Sequence, residues 1–201
     1  HFTIHSFPTR RSSDLGRLLL FSEYLFYFNR ATNRFVNTQI QLPDSRVTSV
    51  AEDKSGNLYI GTLEASIIKL TNNPERMEYE RAPLGQLSKC SGNRNVVKID
   101  EKDQIWIGTE DKGLFKYEKT ENRLENYVHD VLDPGSISDN YIYSLYIDRS
   151  GILWIGTRDQ GICKYDLYSK PFFHIKSFPG EKNSLSSNVI TGIDGNKPEE
   201  L

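Results

Sequence analysis

The 201 residues carry 25 Lys and Arg against 27 Asp and Glu, a net charge of -2, with 37% hydrophobic and 26% charged residues. That balance suits an ordinary globular chain able to bury one sizeable core. It supplies no basic field of the kind that draws a chain to nucleic acid or anionic lipid, and no run of about 18 apolar residues exists to span a bilayer.

Residues 1–15 are set aside first. Phe7-Pro8-Thr9-Arg10-Arg11-Ser12-Ser13-Asp14-Leu15 reads back, codon by codon, into a string similar to a common short-read sequencing adapter. Ser6 extends the match, so residues 6–15 resemble a translated adapter and the segment 1–15 is read as non-native. On that reading the sequence is a piece of a longer gene product. A twin-arginine export signal built on Arg10-Arg11 and Leu18 to Phe21 fits poorly. Asp14 and Glu23 interrupt its apolar region, and no small-residue cleavage site follows.

From residue 16 onward the chain repeats itself. Gly-Thr pairs fall at Gly61, Gly108 and Gly156, 47 and 48 residues apart, and Asp53, Asp100 and Asp148 keep the same two steps. A period of this size lies within the range of one propeller blade. Residues 16–46 read as a partial blade and linker, with Leu25 to Asn29 and Arg34 to Val36 as its last half. Residues 47–95, 96–140 and 141–188 read as three full blades. Each opens with an alternating strand and a tight turn at Asp53, Asp100 or Asp148. A second strand follows, ending in Gly-Thr, and then two further short strands. Residues 189–201, with Val189 to Asp194, read as the start of a further blade. The expected fold is therefore all-β: a fragment of a β-propeller with about three full four-stranded antiparallel blades and partial blades at each end.

The second strands, Leu58-Tyr59-Ile60, Ile105-Trp106-Ile107 and Leu153-Trp154-Ile155, are apolar on both faces. Both faces must then be covered, as they are when neighbouring blades pack on either side. Such units need about three or more neighbours for stability. The arc is expected to expose apolar faces at its ends and to be poorly soluble alone.

Recurrence is most economically architectural. Asp53, Asp100 and Asp148 are expected to accept backbone N-H bonds in their turns, and Gly56, Asp103 and Gly151 to take positive φ. Gly61, Gly108 and Gly156 make room for close blade packing, Trp106 and Trp154 fill it, and the following Thr is a turn partner. An EF-hand calcium pattern is absent. Glu64, Asp111 and Asp159 recur as well, which weighs against a catalytic role, since a glycosidase needs two carboxylates about 5 to 10 Å apart in different environments. His129 and His174 lack companions at metal-ligand spacing. Cys90 sits in a polar stretch between blades, and Cys163 takes the place of Phe115 as a small buried hydrophobe, so no mutual disulfide is expected. No cofactor and no metal are expected, and this fragment carries no catalytic constellation.

Specific function belongs where the copies differ on one rim. Loops from second to third strand share a rim with the connectors between blades. The candidates there are Arg94, Lys112, Asn140, Tyr141, Arg158 and Gln160, with Leu63, Ala65, Glu110, Asn95 and Asn188 beside them. Planar polar side chains and an aromatic ring suit a sugar.

Asp148-Arg149-Ser150-Gly151-Ile152-Leu153-Trp154-Ile155-Gly156-Thr157, followed by Gly161-Ile162 and Lys164-Tyr165, resembles the two-component regulator propeller repeat. A second copy keeps Asp100, Trp106-Ile107-Gly108-Thr109 and Gly113-Leu114, with Asp103 where Gly is usual. A weaker first copy keeps Asp53, Gly56 and Ile60-Gly61-Thr62, with Tyr59 for Trp. The connectors Asp133 to Asn140 and Lys182 to Asn188 are similar to the family's interblade segment. The resemblance implies the periplasmic sensor region of a membrane-bound hybrid histidine kinase that detects a small-molecule ligand, an oligosaccharide, by binding. It also implies further blades of the same parent chain and a homodimeric parent. Two alternatives stand beside it: a propeller enzyme of glycosidase or lyase type, and a protein-interaction propeller.

Overall fold

A computed structural model describes residues 3–6, 18–21, 24–29, 32–41, 47–63, 67–73, 78–90, 94–168, 172–178 and 180–193. Its sixteen strands form four antiparallel sheets, each a meander in which neighbours in sequence are neighbours in space. The first sheet holds β1 (Thr3–Ser6), β2 (Leu18–Phe21), β3 (Tyr24–Asn29) and β4 (Arg34–Gln41). The second holds β5 (Val47–Glu52), β6 (Leu58–Thr62), β7 (Ile68–Asn73) and β8 (Glu78–Ala82). The third holds β9 (Asn95–Ile99), β10 (Ile105–Thr109), β11 (Leu114–Glu118) and β12 (Arg123–Tyr127). The fourth holds β13 (Ile142–Ile147), β14 (Ile152–Thr157), β15 (Ile162–Asp166) and β16 (Phe172–Ile175). The last three sheets are the three expected blades, and β5, β9 and β13 touch in series as their inner strands.

Two ends differ from expectation. The first sheet has four strands instead of a half, because Thr3–Ser6, in the segment set aside, pairs with Leu18–Phe21. Ladder bonds use backbone N-H and C=O groups common to every residue, so an extended segment can satisfy an edge whatever its side chains. The adapter-like residues 7–15 lie outside the described residues. At the other end, residues 189–193 form no strand. A first strand takes its ladder from the second strand of its own blade, and none follows among the described residues. Asp194 lies outside them.

The doubly apolar middle strands pack as their pattern demands. Leu58 and Ile60 join Leu25, Val50, Ile68 and Leu70 between the first and second sheets. On the opposite face of the same strand, Tyr59 joins Ile105, Ile107, Val97 and Phe115 between the second and third. Trp106, on the far face of β10, joins Leu145, Leu153, Ile155, Cys163 and Tyr165 between the third and fourth. Consecutive side chains on a strand point to opposite faces, so each middle strand feeds two interfaces. The ring of Trp106 lies 5.5 Å from Tyr165 across the interface and 6.1 Å from Tyr127.

The connector from β8 to β9 contains a 3₁₀ turn, Gly85–Cys90, that places Leu87 and Cys90 in the core. Cys90 is thus buried within a stretch that is otherwise polar. A short helical turn brings residues three apart onto one side, and Leu87 and Cys90 have that spacing. Both cysteines are free and buried. Burial pushes the Cys90 thiol up to about 12. Cys163 contacts the Ser138 hydroxyl at 2.8 Å, and burial raises its thiol as well.

Candidate functional site

The repeated turns are built as the residues imply. Asp100 Oδ1 accepts N-H bonds from Lys102 and Gln104 at 2.9 Å each, and Asp148 Oδ1 accepts those of Ser150 and Ile152. Gly56, Asp103 and Gly151 take φ values of 81°, 68° and 78°. A further link joins the carboxylate to the next strand. Asp100 Oδ2 accepts the Trp106 indole N-H at 2.9 Å, and Asp148 Oδ2 accepts that of Trp154 at 2.8 Å. Tyr59, standing for Trp in the earlier blade, keeps a donor there, its hydroxyl 3.4 Å from Asp53 Oδ2. Lys119 of the next blade also reaches Asp53 Oδ2 at 3.0 Å and pairs with Asp103. Burial alone would raise the Asp53 pKa, but hydrogen bonds from Asn57 and Lys119 outweigh it and hold the carboxyl below its ordinary value. Asp148 is lowered in the same way, its bonds from Ile152, Trp154 and Ser150 overcoming desolvation.

The opposite rim carries the candidate residues. Thr109 and Thr157 hydroxyls donate to the Gly113 and Gly161 carbonyls at 2.9 and 2.8 Å, closing the loops from second to third strand. Gly113 and Gly161 N-H groups in turn donate to the Asn140 and Asn188 carbonyls on the connectors. The two kinds of loop therefore share one rim, as strand alternation requires. Asn140 Oδ1 also accepts the His129 N-H at 2.7 Å, and Asn188 Oδ1 that of Ser177 at 2.6 Å. Asn140 thus has an anchoring task that its counterpart repeats.

Two of the candidates, Tyr141 and Arg158, meet on that rim. The Arg158 backbone N-H donates to the Tyr141 carbonyl at 3.0 Å. The Arg158 guanidinium lies over the Tyr141 ring, 3.8 Å from its centroid, and its Nε donates to Asp159 at 2.7 Å. The Asp159 hydrogen bond raises the already high pKa of Arg158. Arg94, from the connector before β9, reaches across to the next blade and lies 4.7 Å over the Tyr143 ring. Gln160 stands apart, its Oε1 accepting from Lys176 at 3.3 Å. Lys112 is exposed and lies near the Cys90 thiol. Glu64 and Ala65 lie outside the described residues.

Tyr143 is the residue that sequence comparison missed. The β13 to β14 register skips it between Ile142 and Ser144, as the β5 to β6 register skips Thr48 between Val47 and Ser49. A bulge of this kind re-aims one side chain. The signal lay in the extra residue of Tyr141-Ile142-Tyr143-Ser144-Leu145 relative to Arg94-Asn95-Val96-Val97. A separate open cleft of about 610 Å³ lies between the 3₁₀ turn and β12, bordered by Gln86, Lys89, Phe115 and Asn126. None of the six candidates lines it. Among the described residues no three His, Cys, Asp or Glu groups gather to hold a metal. His129 Nδ1 and His174 Nε2 lie within 3.0 Å of the Ile137 and Ser136 carbonyls. Among the described residues no helix is long and apolar enough to cross a membrane.

Residues 41–64 and 136–159 match the two-component regulator propeller family. Both segments run from a connector through the Asp turn to the loop beyond Gly-Thr, and the copy between them is not among the matched residues. No curated protein matches the chain. Among solved structures, the chain is similar to the extracellular domain of a hybrid two-component system of B. thetaiotaomicron. There the identity is 24%, the TM-score 0.54, and the match covers 66% of this chain and 18% of that one. It is similar to PorZ, a surface component of the type-IX secretion system of Porphyromonas gingivalis, at 16% identity and TM-score 0.59, covering 90% of this chain and 28% of that one. Virginiamycin B lyase of Staphylococcus aureus matches at 11% identity and TM-score 0.56, covering 92% and 62%. The chain therefore spans a minor part of the first two structures, and these likenesses establish the propeller fold.

Proposed function

We propose that this run of two-component regulator propeller repeats is a ligand-sensing segment of an extracytoplasmic sensor, binding an oligosaccharide without transforming it. The observation that carries the reading is the Arg158 guanidinium held over the Tyr141 ring and tied to Asp159, on the rim where the blades stop agreeing. A sugar offers hydroxyls in pairs and an apolar C-H face. Planar, pre-oriented donors and acceptors beside a ring meet both needs at low ordering cost. The family match and the likeness to a hybrid two-component extracellular domain support the sensor setting. The parent's remaining blades and a kinase beyond the membrane would receive the bound state. Catalysis has no support in the geometry of the candidate residues. Asp159 is engaged by Arg158, and Asp139 accepts the Tyr141 N-H.

Titration calorimetry of the 201-residue chain against a panel of neutral and acidic oligosaccharides tests this. Binding to at least one, weakened tenfold or more in Arg158→Ala with the fold retained by circular dichroism, is the expected outcome. Absence of heat across the panel, or turnover of any glycan, overturns it.

A further inference from the structure

We infer that the ligand of this rim carries an oxyanion, a carboxylate or sulfate borne on a sugar, and that Arg94 is its counter-ion. This rests on the sensing reading above and narrows it to acidic glycans.

The two rim arginines differ in how they are balanced. Arg158 has Asp159 at 2.7 Å, so its charge is met and it remains a hydrogen-bonding plane. Arg94 makes no ion pair among the described residues, and its Nε is buried without a hydrogen-bond partner. What holds it is the Tyr143 ring beneath, 4.7 Å away. A ring face supports a cation but leaves the guanidinium's donors unspent. The support comes from a bulge, the device by which a strand re-aims one residue. Tyr141 immediately precedes β13 and Tyr143 is its bulged second residue. Arg158 interacts electrostatically with both Tyr141 and Tyr143, so the two guanidiniums that these rings carry belong to one stretch of the rim. The nearby carboxylates are otherwise engaged: Asp139 accepts the Tyr141 N-H at 3.1 Å, and Asp159 pairs with Arg158. The rim thus presents one balanced and one unbalanced guanidinium. Guanidinium forks match the planar or trigonal oxygens of carboxylate and sulfate, and such charge-assisted bonds are about twice as strong as neutral ones.

The test titrates the 201-residue chain with three probes of one length: trigalacturonate, a sulfated galactotriose and neutral galactotriose. Acidic probes are expected to bind at least tenfold tighter than the neutral one, with affinity falling as salt rises from 50 to 500 mM. Arg94→Lys is expected to keep part of that preference, since the charge remains without the fork. Arg94→Gln is expected to abolish it, with its melting temperature measured alongside. Preference for only one acidic probe identifies which oxyanion the rim takes. Equal affinity for neutral and acidic probes, or an acidic preference unchanged in Arg94→Gln, overturns this assignment and leaves sugar sensing standing. Binding of none of the three, together with no heat from the wider panel, overturns both.

Discussion

A carboxylate that returns every 47 or 48 residues does one task each time. Asp53, Asp100 and Asp148 each accept two backbone N-H groups of their own turn with one oxygen and face the aromatic residue six positions on with the other. That link explains why Tyr can replace Trp at 59: the position calls for a large ring with a donor at its end. Asp53 carries the additional load of Lys119 from the neighbouring blade. Its folded pKa lies below the ordinary value, so its stabilisation is complete above the unfolded-state pKa and disappears as pH falls through the folded one. Asp53→Asn should therefore lower unfolding stability by about 2 kcal/mol at pH 7, the scale of hydrogen bonds to a charged group. The gap should begin to narrow near pH 4, where the unfolded carboxyl takes up its proton, and close as pH falls through the lower folded value. Urea titrations of both proteins at pH 7 and pH 3 measure it; a gap of equal size at both pH values would contradict the assignment.

Within each blade, the glycine before Thr decides how near the next blade can come. A Cβ on Gly108 would stand 2.4 Å from Ile142 Cγ2, and one on Gly61 would stand 2.2 Å from the Asn95 carbonyl oxygen. The contact is with backbone or branched side chain of the following inner strand, neither of which yields cheaply. Gly108→Ala is expected to cost about 1–3 kcal/mol by overpacking. Gly192→Ala, where nothing lies within 4 Å, is expected to leave the urea midpoint unchanged. Equal midpoints for the two variants would remove the interblade reading of this glycine. This packing was legible in the sequence because repetition at a fixed step exposes it, as were the strands and the doubly apolar Ile105-Trp106-Ile107. The pairing of Arg94 with Tyr143 was not. It joins residues of different blades through a bulge, and neither periodicity nor spacing encodes which side chain an irregular backbone turns inward. The 3₁₀ turn was hidden for a similar reason. Leu87 and Cys90 are two apolar residues in a polar stretch, too few to announce a buried face.

At the scale of the molecule, a blade's second strand is complete only when a further blade covers its forward face. Trp106 has such a cover and is 1% exposed, enclosed by Tyr127, Tyr165 and the Lys116 ammonium 5.7 Å over its ring. Trp154 occupies the same place one blade later and is only half-buried. The connector residues tell the same story: Ile137 is fully buried between the third and fourth sheets, whereas Leu185, at the matching position, is half-buried. These are the chain's two tryptophans, so fluorescence can separate the covered from the uncovered blade. Acrylamide should quench the wild type in two components. Trp154→Phe should leave the weakly quenched component, and Trp106→Phe the readily quenched one. Raising protein concentration should protect Trp154 alone if copies of the chain associate through that face, since association would supply the missing cover. Indistinguishable quenching of the two single-tryptophan variants in dilute solution would mean that the two faces are equally enclosed, and that the third and fourth sheets are not successive members of one stack.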